Sequence, residues 1–181
     1  MTTDLERLQT ALKENYKDAS SEKVAKYINQ FRERTYWGTT IAAKVEGNHG
    51  TYTVSIQLKD DRLMAACSCY IGKGGHCHHC AALAITFMRR PTTFIELPLK
   101  SWGEVEGLAD LPDYLRATSL ESLLAELKKH GITQKAFAEA IGASTQHVSA
   151  VKRSELRNHY FHELGAMKLA CLWVLEKFAA K

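Results

Sequence analysis

Residues 51–69 read TYTVSIQLKDDRLMAACSC. The first eight alternate without a break, with Tyr52, Val54, Ile56 and Leu58 on one side and polar residues on the other. A period of two is that of a half-buried strand. The KDDR that follows is a polar turn, and LMAACSC returns as a strand that runs straight into two cysteines. Upstream, residues 37–45 (WGTTIAAKV) are rich in β-branched residues and end at the turn-forming EGNHG. This pattern predicts a three-stranded antiparallel meander whose last strand delivers thiols.

Working outward, Thr3 and Glu6 have capping-box spacing, and Leu5, Leu8, Leu12 and Tyr16 follow at helical intervals. An amphipathic helix is expected over 4–17. Ser20 or Ser21 caps a second helix carrying Val24, Tyr27, Ile28 and Phe31 on one face. Both read as covers for a core. Beyond the cysteines, CAALAITFMRR (80–90) is a short helix stopped by Pro91. All three prolines and most of an acidic cluster lie in the next stretch, so residues 91–117 read as a linker. Thr118 and Glu121 suggest another capping box, opening the amphipathic LESLLAELKKH.

The composition, 45% hydrophobic and 24% charged, is that of an ordinary globular chain. No apolar run approaches a membrane span, and the first residues do not read as a signal peptide, so a reducing cytoplasm is expected. The net charge is only +4, but its distribution is uneven. Residues 62–100 carry five basic side chains against Glu96, residues 101–119 carry four acids, and the balance after 120 is basic again. Two basic blocks fit contact with a polyanion.

Residues 67–83 (CSCYIGKGGHCHHCAAL) hold four of the five cysteines and three of the eight histidines. Cys67 and Cys69, two apart on a strand, share a face. Cys77 and His79 follow after seven residues. Three sulfurs and one imidazole make a closed tetrahedral set suited to one structural zinc ion. His76, His78 and Cys80 flank the second pair and also carry ligand atoms. A closed set leaves no position for a reacting water, and a carboxylate pair, P-loop or nucleotide fingerprint is not found, so an enzyme is not expected. Cys171, in an apolar helix, reads as a buried structural thiol.

Residues 42–85, with Cys-x-Cys, a spacer and Cys-x-His preceded by strands and followed by an Ala/Leu-rich helix, resemble the SWIM-type zinc finger. The family motif falls on Cys67, Cys69, Cys77 and His79. The resemblance implies zinc, together with DNA binding or protein–protein contact.

A second motif begins at Gln134 in QKAFAEAIGASTQHVSAVKR. Ala138 is the small residue where two helices would touch, and Gly142 is the turn residue that tolerates positive φ. Phe137, Ile141, Ala143, Val148 and Val151 fill the apolar positions, and Thr133 and Ser144 are N-cap residues. The stretch resembles the helix-turn-helix of lambda-repressor and Cro-like domains. On its outward face, Ser144, Thr145, Gln146 and Ser149 are candidates to meet base edges or the backbone; His147 and Ala150 are weaker candidates. Lys152, Arg153 and Arg157 are candidates for phosphate, as are Gln134 and Lys135 at the first helix. The closing helix, with Leu164, Met167, Leu172, Val174, Leu175 and Phe178, is either buried in the bundle or pairs with a second copy.

The expected fold is α+β. Helices, a small antiparallel meander and a zinc-stapled turn occupy 1–90, a linker 91–117, and an all-α helix-turn-helix bundle 118–181. The expected function is a zinc-containing, sequence-specific regulator of transcription that binds double-stranded DNA. Lys73, Arg89 or Arg90 of the zinc module would add phosphate contacts. The alternative is a protein–protein adaptor working through the zinc module.

Overall fold

The computed structural model describes residues 3–17, 19, 21–74, 77–157 and 161–179. Helix α1, Asp4–Tyr16, starts on a reciprocal capping box: Thr3 Oγ1 accepts from the Glu6 backbone N–H, and the Glu6 carboxylate accepts from that of Thr3. Ser21 caps α2, Glu22–Tyr27. Four strands follow: β1 Arg32–Trp37, β2 Thr40–Gly47, β3 Gly50–Lys59 and β4 Arg62–Cys67. Helix α3, His78–Arg89, leads to the two-residue strand β5, Ile95–Glu96. The sheet order is β4-β3-β2-β1-β5; successive strands of the first four pair antiparallel, and β5 runs parallel to β1.

The sheet is wider than the expected three strands. Residues 37–45 are not one strand: Gly38 and Thr39 form a tight turn, and Trp37 pairs with Thr40 across it. β1 has no clean apolar alternation because Arg32 and Glu33 are held by charged partners, Glu46 and Lys44, on β2. The KDDR turn is a two-residue hairpin, with Asp60 and Asp61 both at positive φ. That is the turn whose twist matches the flanking strands, and aspartate tolerates it better than most side chains.

Alternate residues of the strands point to one face. Ile41, Ala43 and Val45 of β2, Val54, Ile56 and Leu58 of β3, and Cys67 of β4 are all buried there. Helices α1, α2 and α3 cover that face with Leu8, Leu12, Val24, Leu83 and Phe87. The register pairs Ala43 with Val54 and Val54 with Cys67, so the first thiol lies in the same cross-strand row as core side chains.

The chain forms two compact units that part near Pro98, with Leu156 and Arg157 grouped with the first. This corrects the reading of 91–117 as a linker. Phe94 and Leu97 are buried and β5 joins the first sheet, whereas Trp102 and Val105 pack on the core of the second unit. A two-residue strand is too short to leave a periodic signature.

The second unit is helical: α4 Leu111–Ala117, α5 Leu120–Lys129, α6 Gln134–Ala140, α7 Thr145–Arg153 and α8 Phe161–Ala179. Ser119, not Thr118, caps α5 and accepts from Ser122 N–H. The expected partner Glu121 is one residue out of register with that cap. Leu120, Leu124, Leu127, Phe137, Val148, Val151, Leu164, Met167 and Cys171 share the core. Glu155 and Lys168 add a buried tie: Glu155 accepts from Leu120 N–H, and Lys168 Nζ lies 2.6 Å from Glu155 and 2.7 Å from the Leu115 carbonyl. One face of α8 is buried, while Leu169, Trp173 and Phe178 are exposed. No helix among the described residues is long and apolar enough to cross a membrane.

Candidate functional site

Three local devices bring the cysteines together. Strand β4 buries Cys67, and the alternation carries on past its end, so Cys69 is buried while Ser68 is exposed. Ser68 ties the extension to β3: its N–H donates to the Thr53 carbonyl, and its Oγ accepts from the Thr53 N–H. The chain then turns through a short 3-10 segment, Ile71–Gly74, and returns to place Cys77 at the N-cap of α3 and His79 in its first turn.

The ligand atoms of Cys67, Cys69, Cys77 and His79 all lie within 4.8 Å of one another, and all four residues are buried. His79 Nδ1 is 3.6 Å from Cys67 Sγ and 3.9 Å from Cys77 Sγ. A tetrahedral ion with bonds of about 2.3 Å to sulfur and about 2.0 Å to nitrogen sets its donors roughly 3.5–3.8 Å apart. The cluster therefore has the dimensions and the donors to hold one metal ion. Soft thiolates favour a soft or borderline ion over calcium or magnesium.

Gly72 closes the cradle. Its N–H donates to Cys69 Sγ at 3.1 Å, and Cys69 N–H points at Cys67 Sγ at 3.5 Å. A Cβ on Gly72 would stand 2.4 Å from Cys67 Cβ and 2.9 Å from Cys69 Sγ. Backbone donors to sulfur favour thiolate over thiol. Hydrogen bonding with Cys67 and then with Cys80 holds the Cys77 thiol far below the usual range. Its bond to Cys77 and then burial push Cys67 up. Burial also pushes Cys69 up. Such thiols resist carrying several charges side by side, and a bound cation removes that conflict.

The rival ligands separate. Cys80 Sγ touches Cys77 Sγ at 3.6 Å but does not belong to the set of four. The His78 ring stacks on Tyr27, with centroids 5.3 Å apart. His76, and the side chains of Lys73 and Arg157, lie outside the described residues. His79 Nε2 is buried without a hydrogen-bond partner among the described residues, and its ring packs against Tyr27 and Tyr52. The sequence presents Cys80 as a rival ligand, and the structure leaves it outside the set of four; the aromatic walls and Gly72 carry no signal in spacing, because each gains its role by contact.

The second candidate surface is the α6–α7 pair. Thr133 Oγ1 accepts from Ala136 N–H, and Ser144 Oγ accepts from His147 N–H. Ala138 is fully buried at the contact, and Gly142 lies at φ +71° in the turn. Thr145, Gln146 and Arg153 are exposed. Arg153 Nε also donates to the Ser149 carbonyl at 3.4 Å, and further predicted contacts are engaged locally. Gln134 Nε2 donates to Ser149 Oγ at 2.7 Å and to the Thr145 carbonyl at 3.3 Å. Lys135 lies 3.9 Å from Glu139, and Lys152 lies 4.0 Å from Glu121. Exposed pairs of this kind open at little cost.

Compared with family models, with curated proteins and with solved structures, the chain matches none. The functional reading therefore rests on residues and geometry.

Proposed function

We propose that the protein is a zinc-containing, sequence-specific DNA-binding regulator of transcription, with residues 118–181 as a helix-turn-helix domain. The observation that carries the reading is the α6–α7 pair. Two capped helices meet at a buried alanine, turn at a positive-φ glycine, and leave Thr145, Gln146 and Arg153 exposed along α7. A helix presenting amide and hydroxyl groups near its start and cations near its end suits base edges flanked by phosphates. The Cys67, Cys69, Cys77 and His79 set would hold one zinc ion as a structural tie. DNA occupancy, alone or with a second copy paired through α8, would be the regulatory act.

The test is selection of duplexes from a random DNA pool by the purified zinc-loaded protein, at low and near-physiological salt. Nonspecific attraction to phosphate fades steeply with salt. The expected result is a motif that survives the higher salt. Recovery of nothing above background rejects the reading.

A second reading has its own observation. Tyr70 and Ile71, in the loop between the ligand pairs, are 88% and 64% exposed. An apolar knuckle on a metal-held loop suits a protein contact. The adaptor reading expects a partner that is lost when Cys67→Ser removes the metal.

A further inference from the structure

The metal cluster contains one thiol more than it uses. Cys80 is fully buried, lies outside the four-donor set, and has its sulfur 3.6 Å from that of Cys77. Cys77 is the N-cap of α3, and Cys80 lies in that helix's first turn. The two are therefore a Cys-x-x-Cys pair at a helix N-terminus, an arrangement in which dithiol and disulfide interconvert. A disulfide needs the sulfurs about 2.05 Å apart, so closing this pair takes about 1.5 Å of motion. Cys67 and Cys69 lack a comparable reserve: each is itself a member of the donor set.

We propose that Cys77 and Cys80 form an oxidative modification site that releases the metal. The proposal rests on reading the cluster as a zinc centre. The oxidant is a hydroperoxide, in the simplest case hydrogen peroxide. Cys77 is 6% exposed and Cys80 is not exposed at all, so the oxidant meets Cys77 first. Cys77 Sγ attacks one peroxide oxygen, the O–O bond breaks, and the other oxygen leaves as hydroxide and is protonated to water. Cys77 is then a sulfenic acid. Cys80 Sγ attacks that sulfur, the S–O bond breaks, and the second oxygen leaves as water after taking up the Cys80 proton. One thiolate, one thiol, one peroxide and one proton become one disulfide and two waters; the two sulfurs supply the two electrons. A disulfide sulfur is not a thiolate ligand. The metal is left with Cys67, Cys69 and His79 and one thiolate fewer, so its hold weakens and a competing chelator removes it.

The experiment exposes the whole 181-residue chain, zinc-loaded, to hydrogen peroxide. Zinc content is measured before exposure, released zinc is followed with a chromogenic chelator, and cysteine pairs are mapped by differential alkylation and peptide mass spectrometry. The expected result is one zinc released for each Cys77–Cys80 bond formed, with both changes reversed by a dithiol reductant plus zinc. Cys80→Ser and Cys80→Ala should hold zinc before exposure. After it they should carry Cys77 as a sulfinic acid that the reductant does not restore. Should neither variant fold, the pairing found in the wild-type chain decides the question. A disulfide between other cysteines, zinc release with no disulfide, zinc retained with Cys77 unmodified, or Cys80 variants that recover like the wild type would each overturn the proposal. Folded protein that contains no zinc before exposure overturns the zinc reading as well. Zinc-loaded protein without a Cys77–Cys80 bond overturns this inference alone.

Discussion

Gln134 and Ser149 hold the α6–α7 pair together: the Gln134 amide donates to Ser149 Oγ at 2.7 Å while also reaching the Thr145 carbonyl. The first residue of α6 is thereby linked to the first turn and the middle of α7. Gln134→Ala removes both contacts and loosens the crossing while leaving Gln146 and Arg153 in place. It should weaken binding to a selected duplex and to its single-base variants alike, by roughly 3–10-fold at about 1 kcal/mol for a lost hydrogen bond. Gln146→Ala should instead flatten the preference at one base position, costing about 1–3 kcal/mol on the preferred duplex alone. Arg153→Ala should lower the salt slope by about one ion for every sequence. Titrations across a duplex panel at several salts separate the three. A uniform loss for Gln146→Ala would remove it from base recognition.

Gly72→Ala tests the metal cradle. The added methyl has no room, since the Cys67 carbonyl oxygen would be 2.7 Å away and Cys67 Cβ nearer still. The loop must back off, and the bond from Gly72 N–H to Cys69 Sγ is lost. Metal affinity should fall roughly 10–100-fold, the cost typical of losing a group that supports a ligand. Competition with a chelator of known affinity measures it. Stripping a metal-loaded sample of the wild type should expose amides of β3, β4 and α3 to hydrogen exchange and leave those of α5 protected, because Phe137, Leu127 and their neighbours form a separate core.

Lys168 carries the buried tie of the helical unit; its side chain is 4% exposed, against 19% for Glu155. Lys168→Met leaves the Glu155 carboxylate without its cation and the Leu115 carbonyl without its donor. The expected loss is about 3–5 kcal/mol of unfolding free energy. Lys168→Met combined with Glu155→Met should recover much of it, since no lone charge then remains buried. Urea unfolding of the single and double variants measures the difference. Equal stability of Lys168→Met and the wild type would show that the pair contributes nothing net.

Cys171 gives the helical unit an alkaline limit. Burial pushes its thiol from an ordinary 9.0 to about 12. The unfolded chain releases this proton near pH 9 and the folded chain only near 12. Between those values the folded state binds more protons, so stability falls as pH rises. The contribution is complete below pH 9 and is lost on the way to 12, on the order of 1–2 kcal/mol once solvent screening is allowed for. Cys171→Ala should be shallower in unfolding free energy against pH over that window, whatever its stability at neutral pH. Parallel curves would refute the burial argument.

Much of this molecule is written in short-range spacing. Period two over 51–58 sets which side chains of β3 face the core. Thr3 with Glu6, and Thr133 and Ser144 alone, mark helix starts that hydrogen bonds then realise. Cys-x-Cys and Cys-x-His are likewise local, so the four-donor set was legible before the fold. The reason is common to all three: backbone geometry relates residues two to four apart, whatever lies around them. What only the tertiary structure decided are relations between residues far apart or identical in type. It drew β5 onto β1, since a two-residue strand exists only through its partner. It turned His78 onto Tyr27 and His79 toward the sulfurs, a choice that packing makes and composition does not. It left Cys80 against Cys77 but outside the donor set, and it joined Lys168 to Glu155. Such contacts depend on chain closure, where burial selects among side chains that the sequence presents as equals.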